Sequence, residues 1–453
     1  MITRYYFLLI IVFSIRLLSA CSTFLEDKPN QKMAVPSTLK DCDALLDDYF
    51  TMNNSYPVAG EVGADNYYLT TQAFEAISLN SERDMYLWQA DADIPVENWT
   101  AGYKVIFNAN QVLDVLENID RAVDPINYDR IKGEALFFRA YAYMQLADVF
   151  TLPYSKSSSA TDRGIVLRET ATVDEISRRA SLAETYQKIA DDLTESAKLL
   201  PALSNYKTRP TSVASYAALS RLGLVIQNYD MVIAAAEKVL EQKPVLIDFN
   251  TLNTNAVRPF QRFNSETLFY AITLTSSCLD PYTSFVDSSL YDMYGSADLR
   301  KSLYFKDTGS EVTFKAKYDG ENNYTSFAGI VLDEVYLNLA EGYSERDNID
   351  QAMKYLNQLM LTRFKTGEFV PFTATNKTQA LAIILAERRK SLIMRNLRWM
   401  DLKRLNLKDA HAKSLSRKIG ENTYQLDPND LRYAFLIPSG VIGMASRINQ
   451  NKR

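Results

Sequence analysis

Histidine is almost missing from this 453-residue chain: His411 is the only one, in the polar segment Asp409 to Lys413. A Ser-His or Cys-His nucleophile would depend on that single imidazole, and no His-based metal cluster can be assembled. Cysteine is scarce too, at three. Cys42 and Cys278 are far apart in sequence and set neither a disulfide framework nor a metal spacing. No glycine-rich phosphate loop appears. Past the first twenty residues no apolar run is long enough to span a bilayer. An excess of positive charge is also lacking: 50 Lys and Arg against 55 Asp and Glu give a formal net charge of −5, no reason to expect nucleic acid as partner. These absences leave no catalytic residue, metal or cofactor to nominate. A carboxylate pair for glycoside hydrolysis is defined only by its separation in space.

What is present is apolar and tyrosine-rich. Hydrophobic content of 47% with 11% aromatic argues for a globular protein with a large core. Against three Trp stand 28 Tyr, each a flat apolar ring with a hydrogen-bonding tip, suited to wet recognition surfaces as well as to helix packing. At the start, Arg4 precedes an apolar run from Tyr5 to Ile15, and small residues follow: the order of a secretory signal peptide, with Arg16 an awkward charge inside it. Leu18-Ser19-Ala20-Cys21 looks like a bacterial lipobox. Residues 1–20 are therefore expected to be cleaved and Cys21 to carry lipid, each buried CH₂ contributing about 0.8 kcal/mol of anchoring. Residues 21–36, with Pro29, Asn30, Lys32 and Pro36, read as anchor and extended tether, leaving 37–453 as the folded part.

The stretch Gly133 to Phe150 organises that part. On a helix, Leu136, Ala140, Tyr143, Ala147 and Phe150 form one apolar stripe and Ala135, Phe138, Ala142, Leu146 and Val149 a second beside it, with Glu134, Tyr141, Gln145 and Asp148 on the remaining face. Arg139 breaks the pattern, so it is expected to meet a carboxylate or carbonyl groups from another helix. Upstream, a helix is predicted from about Thr38 and another around Trp99, with Asn53 to Tyr68 a loop carrying exposed rings. A shift of 120 residues lines up Tyr216, Leu219, Ser220, Gly223, Val232 and Ala236 with Tyr336, Leu339, Ala340, Tyr343, Ala352 and Leu356. Both sets resemble the tetratricopeptide pattern of helix, short polar turn (Gln227-Asn228, Asp347-Asn348) and helix.

Between the copies, about 245–329, lies the least regular part. Strand-like fragments (Glu266 to Thr273, Val312 to Tyr318) alternate with turns, and rings recur, Tyr282, Tyr291, Tyr294 and Tyr324 among them. A long irregular insertion on a helical scaffold is the usual place for binding loops. From Thr378 the chain returns to helix, and its block Glu387-Arg388-Arg389-Lys390 reads as an ion-paired face. The predicted fold class is thus mainly α, with tetratricopeptide-like repeats and an irregular, loop-rich lobe carrying short strands.

Taken in order, these segments resemble the SusD/RagB family of outer-membrane nutrient-uptake lipoproteins. The resemblance is carried by the lipobox with Phe24-Leu25; Trp99, Tyr103, Ile106 and Asn110; Gly133 to Tyr143; Glu334 to Glu341; Glu387-Arg388 with Arg398-Trp399, Asp401-Leu402 and Arg404; and Ile437-Pro438 with Gln450-Asn451. Two departures stand out: Ser391 where the family usually has Glu, and Asn396 where it usually has Gly. Asn is the next-best residue for a left-handed backbone.

The resemblance implies a cell-surface lipoprotein of the outer membrane that captures oligosaccharides or, in some members, peptides, and serves as lid on a SusC-like TonB-dependent transporter. It carries no ligand residues with it. Because sugar faces stack on rings while hydroxyls pair with Asp, Asn and Arg, the residues singled out for ligand are Asp65, Asn66, Tyr67 and Tyr68, with Tyr282, Tyr291 and Tyr294 of the lobe. Trp88 is a further candidate, with core packing beside Met85, Tyr86 and Leu87 the competing reading. An enzyme acting on glycans and a purely structural scaffold are the other classes left open.

Overall fold

The computed structural model describes residues 36–174, 176–321, 323–445 and 447–453. The expectations for the signal peptide, the lipidated Cys21 and most of the tether fall outside these residues. The main helices are α1 (Leu39–Leu46), α2 (Glu97–Leu116), α3 (Pro125–Phe150), α4 (Leu182–Leu199), α5 (Ser212–Val225), α6 (Tyr229–Leu240), α7 (Leu332–Glu345), α8 (Ile349–Leu361), α9 (Lys377–Ser391) and α10 (Arg398–Leu405). From α2 to α8 each packs on the next, so the scaffold is a stack of helix pairs, and α9 lies on α7. Among the described residues no helix is long and apolar enough to cross a membrane.

Local sequence accounts for the helix ends. Thr38 accepts from the Asp41 N–H, whose carboxylate bonds back to the Thr38 N–H, a capping box that starts α1. Asp124 caps α3 with Pro125 in the first turn, where a missing N–H costs nothing. The repeat is visible in backbone detail: Gln227 and Asp347 both take a left-handed turn, at φ 57° and 58°. The next residues, Asn228 and Asn348, each cap the second helix of their pair through Met231 N–H and Gln351 N–H. The inward positions Val232, Ala236, Ala352 and Leu356 are all fully buried.

Helix α3 is packed more completely than its two stripes predict. Glu134, Tyr141 and Gln145, on the remaining face, are buried as well. Each has a polar partner: Glu134 pairs with Arg130 and Arg209, the Tyr141 hydroxyl takes a hydrogen bond from Arg221 (2.8 Å) and gives one to the Ala328 carbonyl, and Gln145 Oε1 accepts from Asn396 Nδ2 (3.1 Å). Gly133 admits the end of α4, since a Cβ there would stand 2.8 Å from Leu200. Arg139 meets its carboxylate: Nε and Nη2 bind Asp192 of α4 at 2.7 and 2.9 Å, and Nη1 binds Asn110 at 2.9 Å.

The loop-rich lobe lies against this stack. Its sheet is made of β1 (Tyr67–Leu69), β2 (Ser284–Val286), β3 (Phe305–Asp307) and β4 (Val312–Phe314), in the order β1-β2-β4-β3, all antiparallel. The pairing of β1 with β2 joins the early ring-bearing loop to the insertion. Of the two strand-like fragments, only Thr267–Phe269 and Val312–Phe314 are regular strand.

Candidate functional site

The exposed end of the lobe is built on two turns. In the first, the Asp280 carbonyl accepts from the Ser284 N–H (2.9 Å), and Asp280 Oδ1 accepts from the Tyr282 N–H (2.8 Å), which throws the Tyr282 ring into solvent at 72% exposure. In the second, Lys317 Nζ donates to the carbonyls of Asn323 and Thr325, so the residue between them, Tyr324, is held from beneath. Burial lowers the Lys317 ammonium to about 8. The turns are tied together by Ser276 N–H to Tyr324 O (3.1 Å) and by the Tyr324 hydroxyl donating to Asp280 Oδ2 (3.4 Å). The Asp280 charge raises the Tyr324 phenol above its ordinary value. Tyr68, on β1, adds a third exposed ring, 5.8 Å from Phe285. The result is a set of rings with a carboxylate among them, on loops fixed from behind.

Of the other residues singled out, most are committed to the wall behind this face. Asp65 binds Arg398 (2.6 Å) and Lys413 (2.6 Å), with Arg389 at 3.3 Å. Burial opposes its charge, but the three cations outweigh burial and hold its carboxyl well below the usual range. Asn66 is buried against Glu61, 3.2 Å away. Tyr67 is buried with its hydroxyl on the Val62 carbonyl, and Tyr294 with its hydroxyl on the Lys390 carbonyl. Trp88 is a core residue, 1% exposed, its indole N–H on the Gly63 carbonyl at 2.9 Å and Arg417 stacked 4.4 Å above the ring. All five are thus engaged within the protein, four of them buried and Asp65 largely enclosed by its cations. Tyr291 is half-buried, its hydroxyl on Asp307 (2.7 Å) and Lys301 over its ring. Burial, then the Asp307 acceptor, pushes its phenol up to about 12.

Two residues of the face were not singled out from sequence, Asp280 and Tyr324. The available signal was Asp280-Pro281-Tyr282, a turn sequence that presents a ring.

Several residues that carry the resemblance, among those described, are structural. The Ile437 N–H donates to Gln450 Oε1 (2.8 Å) while Gln450 Nε2 donates to the Ile437 carbonyl (2.7 Å). Arg388 binds Asp401 (2.8 Å), and Arg404 binds Asp401 and Glu341, all buried, so the ion-paired face lies inside the protein.

Sequence models place this scaffold. Residues 23–224 match a family described as "Starch-binding associating with outer membrane", and residues 304–440 match the SusD family. The chain belongs to the SusD/RagB family. No curated protein matches it in sequence. Solved SusD-like structures share the fold. A SusD superfamily protein from Bacteroides thetaiotaomicron is 22% identical, with TM-score 0.74 over 92% of this chain and all of its own. A SusD-like carbohydrate binding protein from Bacteroides vulgatus is 18% identical, with TM-score 0.69 over 91% of this chain and 98% of its own. Surface glycan-binding protein A from Bacteroides uniformis is 14% identical, with TM-score 0.70 over 91% and 99%. Both departures from the SusD/RagB pattern have a structural account. Asn396 takes φ 54°, the left-handed backbone that Gly usually supplies. Ser391 accepts a hydrogen bond from Arg300 (2.8 Å), whose charge is already matched by Asp298 and Glu387.

Proposed function

We propose that this chain is a cell-surface lipoprotein that captures oligosaccharides on the Tyr68–Tyr282–Tyr324 face and passes them to a TonB-dependent outer-membrane transporter, which it caps. The observation that carries the reading is the pairing of exposed rings with the Asp280 carboxylate. Pyranose faces stack on rings, and hydroxyls in the ring plane need acceptors such as Asp280. SusD/RagB membership, and the glycan and carbohydrate binding in the names of its structural neighbours, support this ligand class. The stacked helices supply a broad rigid body for docking, and the tether expected after Cys21 would permit the motion a lid requires. Ligand touching both proteins would favour the closed state by its differential affinity.

Capture is proposed without turnover. The test is calorimetric titration of glycan and peptide libraries against the purified chain, with product analysis. Binding of an oligosaccharide that weakens about tenfold in Tyr282→Ala and in Tyr324→Ala, a loss of about 1.4 kcal/mol each, supports the reading. Binding of peptides alone would favour the peptide alternative, and cleaved product from a pure preparation would overturn binding without turnover. Affinity purification from solubilised outer membranes addresses the partner: recovery without any barrel protein, across gentle detergents, would leave a solitary binder.

A further inference from the structure

The lobe carries a second group of rings, and an arginine lies among them. The Arg262 guanidinium is 4.7 Å from the Phe263 ring, 4.9 Å from Tyr270 and 5.3 Å from Tyr49, and its Nη2 donates to the Tyr49 hydroxyl at 2.8 Å. Three rings and one hydrogen bond thus fix a group that would otherwise sample many rotamers. Arg262 itself is exposed and makes none of the ion pairs found among the described residues, whereas Arg258, four residues before it, pairs with Glu321 at 3.6 Å. Many other arginines of this protein, Arg139, Arg221, Arg300, Arg363, Arg388 and Arg404 among them, are paired with one.

The surround is apolar and strained. Phe263 takes φ 59°, a left-handed backbone that is a true outlier for a bulky side chain, and it leaves the ring 42% exposed beside the guanidinium. Phe50, 74% exposed, lies edge-on to Tyr49 at 5.6 Å. Large exposed rings beside a fixed cation with unused donors form a site for a ligand that is flat, partly apolar and anionic.

We propose that Arg262, Phe263, Tyr49 and Phe50 form a second binding site, for a uronic-acid residue of an acidic oligosaccharide. The guanidinium takes the sugar carboxylate through its remaining N–H groups, and the rings take the pyranose faces. A peptide carboxylate fits the cation equally well, but an extended peptide also needs free backbone. The nearest extended segment, running on from Tyr270, is already bonded on both sides: Ile272 and Leu274 N–H to the carbonyls of Asn53 and Tyr56, Thr273 N–H to Ser326, and Ala328 N–H to the Ala271 carbonyl. No strand edge is left there for a peptide to join.

The site shares no residue with the Tyr282–Tyr324 face, although the Arg262 backbone lies against Gly320 of the Lys317–Thr325 turn. The test is titration of the full chain in detergent with tetragalacturonic acid and with its carboxyl-reduced, neutral counterpart, for the wild type, Arg262→Gln and Tyr282→Ala. The wild type binds the acid, Arg262→Gln weakens it about tenfold or more at an unchanged melting temperature, the neutral tetramer binds no better than the acid does to that variant, and Tyr282→Ala leaves the acid unaffected. Equal affinity of wild type and Arg262→Gln for the acid, no binding of the acid by the wild type, or loss in Tyr282→Ala alone would overturn the proposal. Pentaglutamate bound as tightly as the uronate would overturn the saccharide assignment in favour of an acidic peptide.

Discussion

Tyr68 on β1 stands directly opposite Phe285 on β2, and their rings are 5.8 Å apart. That pair couples two segments more than half of the folded chain apart, and it sets an exposed ring of the early loop beside the turn that presents Tyr282. β1 is tied down in turn: the Leu69 N–H donates to the Tyr86 hydroxyl at 2.9 Å, and Arg417 lies 3.6 Å over the Tyr86 ring while donating to the Val62 and Ala64 carbonyls. The proposed ligand face is therefore backed by core.

The first prediction concerns the ion pair that orders the scaffold. Arg139 and Asp192 are both about 95% buried in side chain. Removing one partner leaves the other charge in a medium that cannot solvate it, apart from Lys188, 3.4 Å from Asp192. Arg139→Met is expected to lower unfolding stability by about 3–5 kcal/mol, measured by urea denaturation. The double variant Arg139→Met with Asp192→Leu should recover most of that loss.

A second follows from Glu61. It accepts from the Asn396 N–H at 2.6 Å and from Asn66 at 3.2 Å, yet burial pushes its carboxyl up to about 7 from an ordinary 4.5. The folded state holds this proton more tightly than the unfolded state does. Its stabilising effect is therefore complete below pH 4.5 and is lost as pH rises to 7, a decline of about 3 kcal/mol from this one group. Stability of Glu61→Gln measured across that range should lack this slope, whatever its absolute value.

The matched turns give a third. Gln227 and Asp347 hold left-handed backbone at φ 57° and 58°, where a Cβ is unfavourable. Gln227→Gly should stabilise by up to about 1 kcal/mol, and Asp347→Gly by less because Asp tolerates this region better, both read as shifts in denaturation midpoint.

These examples also show what sequence can carry. The Arg139 partner, the helix-pair repeat and the left-handed Asn396 were legible because each rests on short periodicity or on one residue's own conformational preference. Enclosure of Asp65 was not, and burial of Trp88 was legible only as one of two readings. The cations that enclose them, Arg398 and Lys413 around Asp65 and Arg417 over Trp88, come from the far end of the chain. A Tyr-rich, Asn-rich loop reads the same whether its rings face water or a guanidinium. Tyr324 was visible as a ring, but its role depends on Lys317 clamping the carbonyls on either side.

The anchor gives a fourth. If Cys21 is the lipidated residue, Cys21→Ala should release the protein from the membrane fraction, because among the described residues no helix can span a bilayer. Fractionation and surface proteolysis of intact cells read the result. Membrane retention of Cys21→Ala would require another attachment.

The central claim is that ligand lies on the ring-bearing end of the lobe, and protection of exposed tyrosines from nitration, mapped by mass spectrometry with and without a bound neutral oligosaccharide, tests it most directly. Tyr68, Tyr282 and Tyr324 are 42%, 72% and 43% exposed, and Tyr206, on a different surface loop, is 68% exposed. The account predicts that ligand protects the first three and leaves Tyr206 reactive. Protection of Tyr206 with the three rings still fully reactive would contradict it.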